Sequence, residues 1–216
     1  MDEHLVRSVI RLGHATGVLR ESTSELIAGS DFQIRITEDD RIYQIDLEKV
    51  MFSFRNLRER RRMRSIIEDP SERIIDLFAG LGYWTIPLAS QVQTTVIACD
   101  LNPIQIRLLR QNMVLNQLTN ILPIEGDCRQ LEWISYADRV IFGLFTDDLS
   151  FYRLAERVLR PGGIVHLHRL VIRHGPSPNL QDLFGSPIRI LRESFVKTVS
   201  KTLVHLVYDI QILKKE

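Results

Sequence analysis

The stretch Asp76-Leu-Phe-Ala-Gly80-Leu-Gly82-Tyr83 constrains this 216-residue chain more than any other. Two glycines one residue apart let the chain reverse tightly and let backbone approach a ligand. A strand candidate, Ile74–Phe78, leads into this turn, and a helix candidate near Tyr83–Ser90 leads out of it. Eighteen residues after Gly82, at the end of the β-branched and apolar run Thr94–Cys99, stands Asp100. A carboxylate at the end of a second parallel strand can accept both ribose hydroxyls of an adenosine cofactor.

From Arg73 onward strand and helix patterns alternate. Pro103 sits where a helix can begin, since its missing N–H is not needed there, and Asn102 before it suits a cap. Ile106, Leu109, Met113 and, less regularly, Leu115 give that helix a core face. Asn120–Ile124 and Arg139–Phe142 read as strands, and Leu149–Leu159 as a helix stopped by Pro161-Gly162-Gly163. Ile164–Leu170 is the next strand, Arg189–Val199 is helical in pattern, and Leu203–Leu213 is strand-like. The series predicts an α/β fold, an open and largely parallel Rossmann-like sheet over residues 51–216. Ahead of it, Phe32–Ile36 and Ile42–Leu47 alternate around Glu38-Asp39-Asp40. Residues 1–50 therefore read as a small β-rich extension, and Asn56–Ile67 as a helix with Asn56 at its cap.

The identity of the cofactor turns on the residues after Gly82. A pyrophosphate fingerprint wants a third glycine where this chain has Thr85, and a barer helix N-terminus than Tyr83-Trp84. S-adenosylmethionine has no pyrophosphate and needs less of that space. Gly126-Asp127-Cys128 closes the third strand, where a side chain can contact adenine. The expectation is an S-adenosylmethionine site holding Gly80, Gly82, Asp100, Asp127 and Cys128. A nucleotide cofactor or a purely structural glycine turn are the alternatives.

Composition excludes other classes. Two cysteines, Cys99 and Cys128, fit neither a disulfide framework nor a four-ligand zinc site, so no metal centre is expected. The opening MDEHLVRSVI is acidic and lacks an apolar signal core, and no run is long enough to cross a bilayer; a cytoplasmic protein is expected. The net charge of +1 gives no global case for nucleic acid, yet residues 55–64 hold six arginines against one glutamate. That run is either a solvated helix face or a phosphate-attracting patch whose effect falls with salt. Arg58, Arg61 and Arg62 are its candidate RNA contacts.

Taken as a set, several stretches resemble the Trm5/Tyw2 family of tRNA-modifying enzymes. They are Lys49-Val-Met-Phe-Ser-Phe-Arg-Asn-Leu-Arg-Glu-Arg-Arg-Arg-Met63, Asp76–Tyr83, Asp100-Leu-Asn-Pro103, Asn112-Met-Val-Leu-Asn116, Gly126-Asp127, Ala137–Gly143 and His205-Leu-Val-Tyr-Asp209. The resemblance implies a class I S-adenosylmethionine-dependent transferase fold acting on guanosine 37, beside the anticodon of tRNA-Phe and other tRNAs. One branch methylates guanine N1; the other transfers the 3-amino-3-carboxypropyl group of the same cofactor to a wyosine precursor. Gly143-Leu and His166-Leu-His168 are similar to the Tyw2 branch, so aminocarboxypropyl transfer is expected. N1-methylation, or a cofactor-retaining RNA-binding scaffold without turnover, are the alternatives.

Carried over by position, Ser53 and Arg60 would contact the methionine portion of the cofactor, Asp100 the ribose, and Asp127 with Cys128 the adenine end. An arginine fork suits a carboxylate. Asp76, by its position before the turn, and His168, which can titrate near neutrality, are the candidates for a general base. Family members carry a further N-terminal domain that grips the tRNA body, of which little is seen here, so a partner subunit supplying that recognition, or a smaller RNA as substrate, is the expectation. Arg55, Arg169 and the carboxylates of Asp147 and Asp148 also depart from the family pattern.

Overall fold

The chain is described here from a computed structural model covering residues 6–213; the first residues of the acidic opening lie outside the described range. Six short strands come first: β1 (Ser8–Arg11), β2 (Ala15–Thr16), β3 (Glu21–Ser22), β4 (Glu25–Gly29), β5 (Gln33–Glu38) and β6 (Arg41–Asp46). They pair as three antiparallel ribbons, β1 with β4, β2 with β3, and β5 with β6. The β5–β6 turn is the predicted acidic one, with Asp39 in the left-handed region at φ 54°.

A helical segment then opens as a single 3-10 turn, Phe54–Asn56, and continues as α1 (Leu57–Ser65). Beyond it come β7 (Ile74–Asp76), α2 (Thr85–Ala89), β8 (Val96–Asp100), α3 (Pro103–Leu115), β9 (Ile121–Glu125), β10 (Ala137–Phe142), α4 (Leu149–Val158), β11 (Leu159–Ile172), β12 (Ile188–Thr198) and β13 (Leu203–Ile212). One seven-stranded sheet results, in the order β12-β13-β11-β10-β7-β8-β9. Strands β9, β8, β7, β10 and β11 run parallel, while β13 lies antiparallel to both β11 and β12.

The central strands are continuous apolar runs because both faces are covered. On one face Ile74, Ala98 and Ile141 pack with Met63, Trp84, Ile86, Leu109 and the β6 residues Tyr43 and Ile45. On the other, Ile75, Ile97, Val140 and Phe142 pack with Tyr152, Leu154 and Tyr208. The helix starts follow local chemistry. Asn102 Oδ1 accepts the Ile104 N–H ahead of Pro103, and Asp148 Oδ1 accepts the Ser150 N–H at the head of α4.

Asn112 on α3 and Asn116 at its C-cap lie one turn apart and receive β6 as a neighbouring strand would. Asn116 Oδ1 accepts the Ile42 N–H at 2.9 Å and Asn112 Oδ1 accepts the Gln44 N–H at 2.7 Å, while Asn116 Nδ2 donates to the Ile42 carbonyl at 2.7 Å. The β5–β6 ribbon is thereby fastened to the Rossmann-like part.

One predicted element has the wrong type. Arg189–Val199 is not a helix but most of β12, an edge strand paired with β13. Its register shifts between Ile190 and Arg192 and again between Phe195 and Lys197. Two such irregularities break the period-two alternation and leave a spacing of apolar residues that imitates a helix. No helix of the described residues is long and apolar enough to cross a membrane.

Candidate functional site

A cavity of about 500 Å³ opens over the carboxyl ends of the parallel strands, the usual place for a ligand in an open α/β sheet. Of the glycine turn, Gly80 lines the cavity with Tyr83 and Trp84, whereas Gly82, expected in the cofactor wall, is buried behind it against Ile86. Gly80 stands at φ 57° and Gly82 at φ 105°, conformations that L side chains rarely adopt. A Cβ on Gly80 would sit 2.4 Å from the Tyr83 ring, and one on Gly82 would sit 2.5 Å from Ile86. Both glycines are therefore required by the turn and by close packing behind it.

Asp100 ties this turn to the next strand. One carboxylate oxygen accepts the Gly80 N–H at 2.8 Å, and the other accepts the Asn102 N–H at 2.9 Å. Each oxygen keeps a further lone pair for the cavity that the residue lines. Burial raises its pKa, and the two backbone N–H groups oppose that shift. Beyond Asp100 the wall becomes aromatic and apolar, with Phe78, Phe151 and the buried Cys128. Asp127 lines the same end, but its carboxylate is already engaged by Arg129 at 2.5 Å, which holds its pKa below the usual range.

Another part of the wall comes from the segment that follows β10 and from β11 and β13. Gly143 is overhung by Trp84, whose indole nitrogen would be 3.2 Å from a Cβ placed there. The Trp84 ring packs on His168 at 4.7 Å between centroids, and His168 Nδ1 shares a hydrogen with His205 Nε2 at 2.9 Å. Both histidines line the cavity. Burial pushes the His205 pKa down to about 4, and burial with the neighbouring His205 takes His168 well below its ordinary value. Near neutrality this is an uncharged pair.

Several expected site residues stand elsewhere. Asp76 is fully buried and is not part of the cavity wall. Its oxygens receive the Thr85 hydroxyl at 2.7 Å and the Phe78 N–H at 3.3 Å. The structure thus gives it a structural place behind the glycine turn rather than that of a general base. Burial pushes its pKa up to about 7, against the lowering effect of those two hydrogen bonds. A raised pKa contributes stability that is full below the unfolded value of about 4 and lost as pH rises through about 7. Asp76→Asn is therefore expected to gain stability relative to the parent across that interval. Urea unfolding at several pH values checks this; a constant difference would contradict it.

Arg60 does not reach the cavity wall either. Its guanidinium makes a bidentate pair with Glu38 of β5, both bonds 2.6 Å, and stacks over Phe52. Its remaining nitrogen donates to the Ser53 carbonyl at 3.2 Å, so it supports the Ser53 loop from behind. Ser53 does line the cavity, and its hydroxyl accepts a hydrogen bond from Lys197 Nζ at 2.6 Å.

The arginine run is divided in the same way. Arg62 is withdrawn from solvent into pairs with Glu59 and Asp209, at 2.7 and 2.6 Å, which excludes it as a free RNA contact. Arg61 pairs with Asp39 but stays largely exposed, and Arg58 lies on an open charged groove beside Arg192. Arg62 belongs to a longer buried chain. Asp209 accepts from His166 Nδ1 at 2.6 Å, and His166 Nε2 meets Arg139 at 2.5 Å, itself bonded to Glu72. A guanidinium only donates, so Nε2 is the bare nitrogen and Nδ1 carries the hydrogen: His166 is neutral. Burial pushes its pKa down to about 4 despite the Asp209 carboxylate.

Sequence reasoning missed three parts of the wall. The turn between β2 and β3 brings Gly17–Arg20 over the cavity, fastened where Asn102 Nδ2 donates to the Leu19 carbonyl at 2.8 Å. Lys197 comes from the misassigned β12. His205 stood in the quoted closing strand, but its pairing with His168 shows only when β11 and β13 are placed side by side. Among the described residues no cluster of side chains could hold a metal ion.

A Rossmann-like sheet, a two-glycine turn and a carboxylate at the second strand define an adenosine-binding enzyme fold. Within that class the assignment is specific, because the TRM5/TYW2 methyltransferase domain matches residues 36–190, and the chain belongs to this family. A tRNA(Phe) (4-demethylwyosine(37)-C(7)) aminocarboxypropyltransferase of Pyrococcus horikoshii is 29% identical over 97% of this chain and 78% of its own length. The protein of that description from Methanocaldococcus jannaschii is 34% identical over 72% of this chain and 63% of its own length. A tRNA (guanine(37)-N(1))-methyltransferase, Trm5b of Pyrococcus abyssi, is 30% identical over 88% of this chain and 59% of its own. Among solved structures, P. horikoshii TYW2 in complex with MeSAdo superposes with TM-score 0.82 at 28% identity, covering 89% of this chain and 75% of that one. The complex of aTrm5 and tRNALeu gives 0.85 at 27%, covering 95% and 61%. The chain thus spans from 59% to 78% of the length of these matched sequences and structures.

Proposed function

We propose that this chain uses S-adenosylmethionine to modify guanosine 37 of tRNA, and that the group it transfers is 3-amino-3-carboxypropyl, delivered to a wyosine precursor in tRNA-Phe. Asp100 carries the cofactor reading: a carboxylate held by two backbone N–H groups, with lone pairs left for a ribose. The cavity fits the group. Its wall carries the Asp100 carboxylate and, near Cys128, the aromatic faces of Phe78 and Phe151 for adenine, with no bare helix N-terminus for a pyrophosphate. Relatives bearing both transfer chemistries match the chain, and the structure of one was determined with MeSAdo.

The bound cofactor supplies an activated carbon on a sulfonium sulfur. The protein's own part is placement: Asp100 and the Gly80 backbone fix one end, while Trp84, His168 and Phe145 form an aromatic wall at the other. Alignment of donor and acceptor can provide much of the acceleration. Gly143 favours aminocarboxypropyl over methyl transfer. The wall there is an indole edge with no side chain from β10, in keeping with the Gly-Leu of the Tyw2 branch.

Purified protein with precursor-containing tRNA and cofactor labelled at either the methyl or the carboxylate carbon tests the reading. Carboxylate label in RNA, with methylthioadenosine released, is expected. Methyl label with S-adenosylhomocysteine would place the protein with the guanine methyltransferases. Neither label, despite cofactor binding, would leave a scaffold, or an enzyme needing a partner to grip the tRNA body.

A further inference from the structure

Lys197 is a half-buried cation on the wall of the cofactor cavity with no carboxylate beside it. Its Nζ donates to Ser53 Oγ at 2.6 Å, and the other charges that act on it are the arginines Arg55 and Arg60. Burial and those two arginines hold its pKa below the usual lysine range. A cation withdrawn from water among other cations is unfavourable unless an anion completes the site. The two arginines differ from Lys197 in what they do. Arg60 is already neutralised by Glu38, and Arg55 is exposed. Among the cavity-lining residues described, the cations are Arg20, Arg129 and Lys197. Arg129 is paired with Asp127 at the adenine end, and Arg20 acts on Asp100. Lys197 alone sits with Ser53.

The position of this cation relative to the glycine turn follows from contacts. The Tyr83 ring packs against Gly80, the Tyr83 hydroxyl donates to the Met51 carbonyl, and Met51 lies two residues before Ser53. Gly80, Met51, Ser53 and Lys197 thus form one connected stretch of the cavity wall, joined to Asp100 through the Gly80 N–H. A ligand whose ribose is held at Asp100 and whose adenine lies toward Cys128 can extend its remaining atoms along this stretch of the same cavity.

We propose that Lys197, with the Ser53 hydroxyl, binds the α-carboxylate of the amino-acid end of S-adenosylmethionine, the role that the resemblance had assigned to Arg60. The assignment rests on the cofactor reading above. A lysine also suits the task, because a point charge on a flexible stem can follow a carboxylate into more than one rotation of the amino-acid chain, which a rigid fork cannot. An RNA phosphate is the other anion that could meet this cation, and the test separates the two.

Calorimetric titration of the full chain with S-adenosylmethionine and with methylthioadenosine, which lacks the amino-acid end, reads the assignment directly. Lys197→Met is expected to weaken S-adenosylmethionine about 10- to 100-fold while leaving methylthioadenosine within about twofold. Lys197→Arg should recover part of the loss. On the unaltered protein, decarboxylated S-adenosylmethionine should bind more weakly than the parent cofactor by a similar factor, so the proposal does not depend on a variant folding. Equal weakening of both nucleosides by Lys197→Met, or no weakening with a loss of RNA affinity, would overturn it; the second outcome would make Lys197 a phosphate ligand. Failure of the unaltered protein to bind either nucleoside would remove the cofactor reading itself, whereas binding of both without discrimination removes only this one.

Discussion

Replacing Asp100 with alanine is expected to weaken S-adenosylmethionine about 100-fold or more, the largest single loss for any residue of the cavity. Two effects act together. The ribose hydroxyls lose a charged acceptor, and the Gly80 and Asn102 N–H groups lose the oxygens that hold the turn and the start of α3. Asp100→Asn separates them: one amide oxygen can still receive one backbone N–H, but the charge is gone. It should bind with intermediate affinity. Titration of both variants, with thermal unfolding to confirm the fold, checks this. Unchanged affinity in Asp100→Ala would mean that the carboxylate only shapes the turn.

The second large effect lies away from the cavity. Arg62→Met would leave Glu59 and Asp209 as buried carboxylates without their shared cation. Breaking a buried pair of this kind costs about 3–5 kcal/mol, and for a chain of this size that lowers Tm by roughly 6–20 °C. Asp209 shows how strongly the site depends on its partners. Burial alone would raise its pKa, yet the hydrogen bonds from His166 and Arg62 take it below the usual carboxylate range. Arg58→Ala, on an exposed position four residues earlier, should leave Tm unchanged. If that face meets RNA, it should lower the salt slope of RNA binding by about one. An unmoved Tm in Arg62→Met would contradict the assignment of Arg62 to the fold.

The contrast between Arg58 and Arg62 shows why a charge run is hard to read. Six arginines in residues 55–64 are plain in the sequence, but the partners that remove two of them from solvent are not. Glu38 lies 22 residues before Arg60, and Asp209 lies 147 residues after Arg62. The Rossmann-like core was legible because its signals are local: a glycine turn after an apolar strand, Asn102-Pro103 at a helix start, Asp100 at a strand end. Asp76 was placed correctly along the chain but on the wrong side of the turn, since spacing cannot say that its side chain faces Thr85. β12 escaped because its two irregularities disguise the strand period, and Lys197 was lost with it. The Gly17–Arg20 turn carried no motif; only its place over Asp100 gives it meaning.

The cavity is built for S-adenosylmethionine and not for a dinucleotide. Calorimetric titration of the purified chain with S-adenosylmethionine, methylthioadenosine and NAD tests it most directly. The two sulfur-bearing nucleosides are expected to bind with NAD far weaker, because the turn offers no third glycine and no open helix N-terminus to a pyrophosphate. Saturable binding of NAD with none of S-adenosylmethionine would overturn this cofactor assignment.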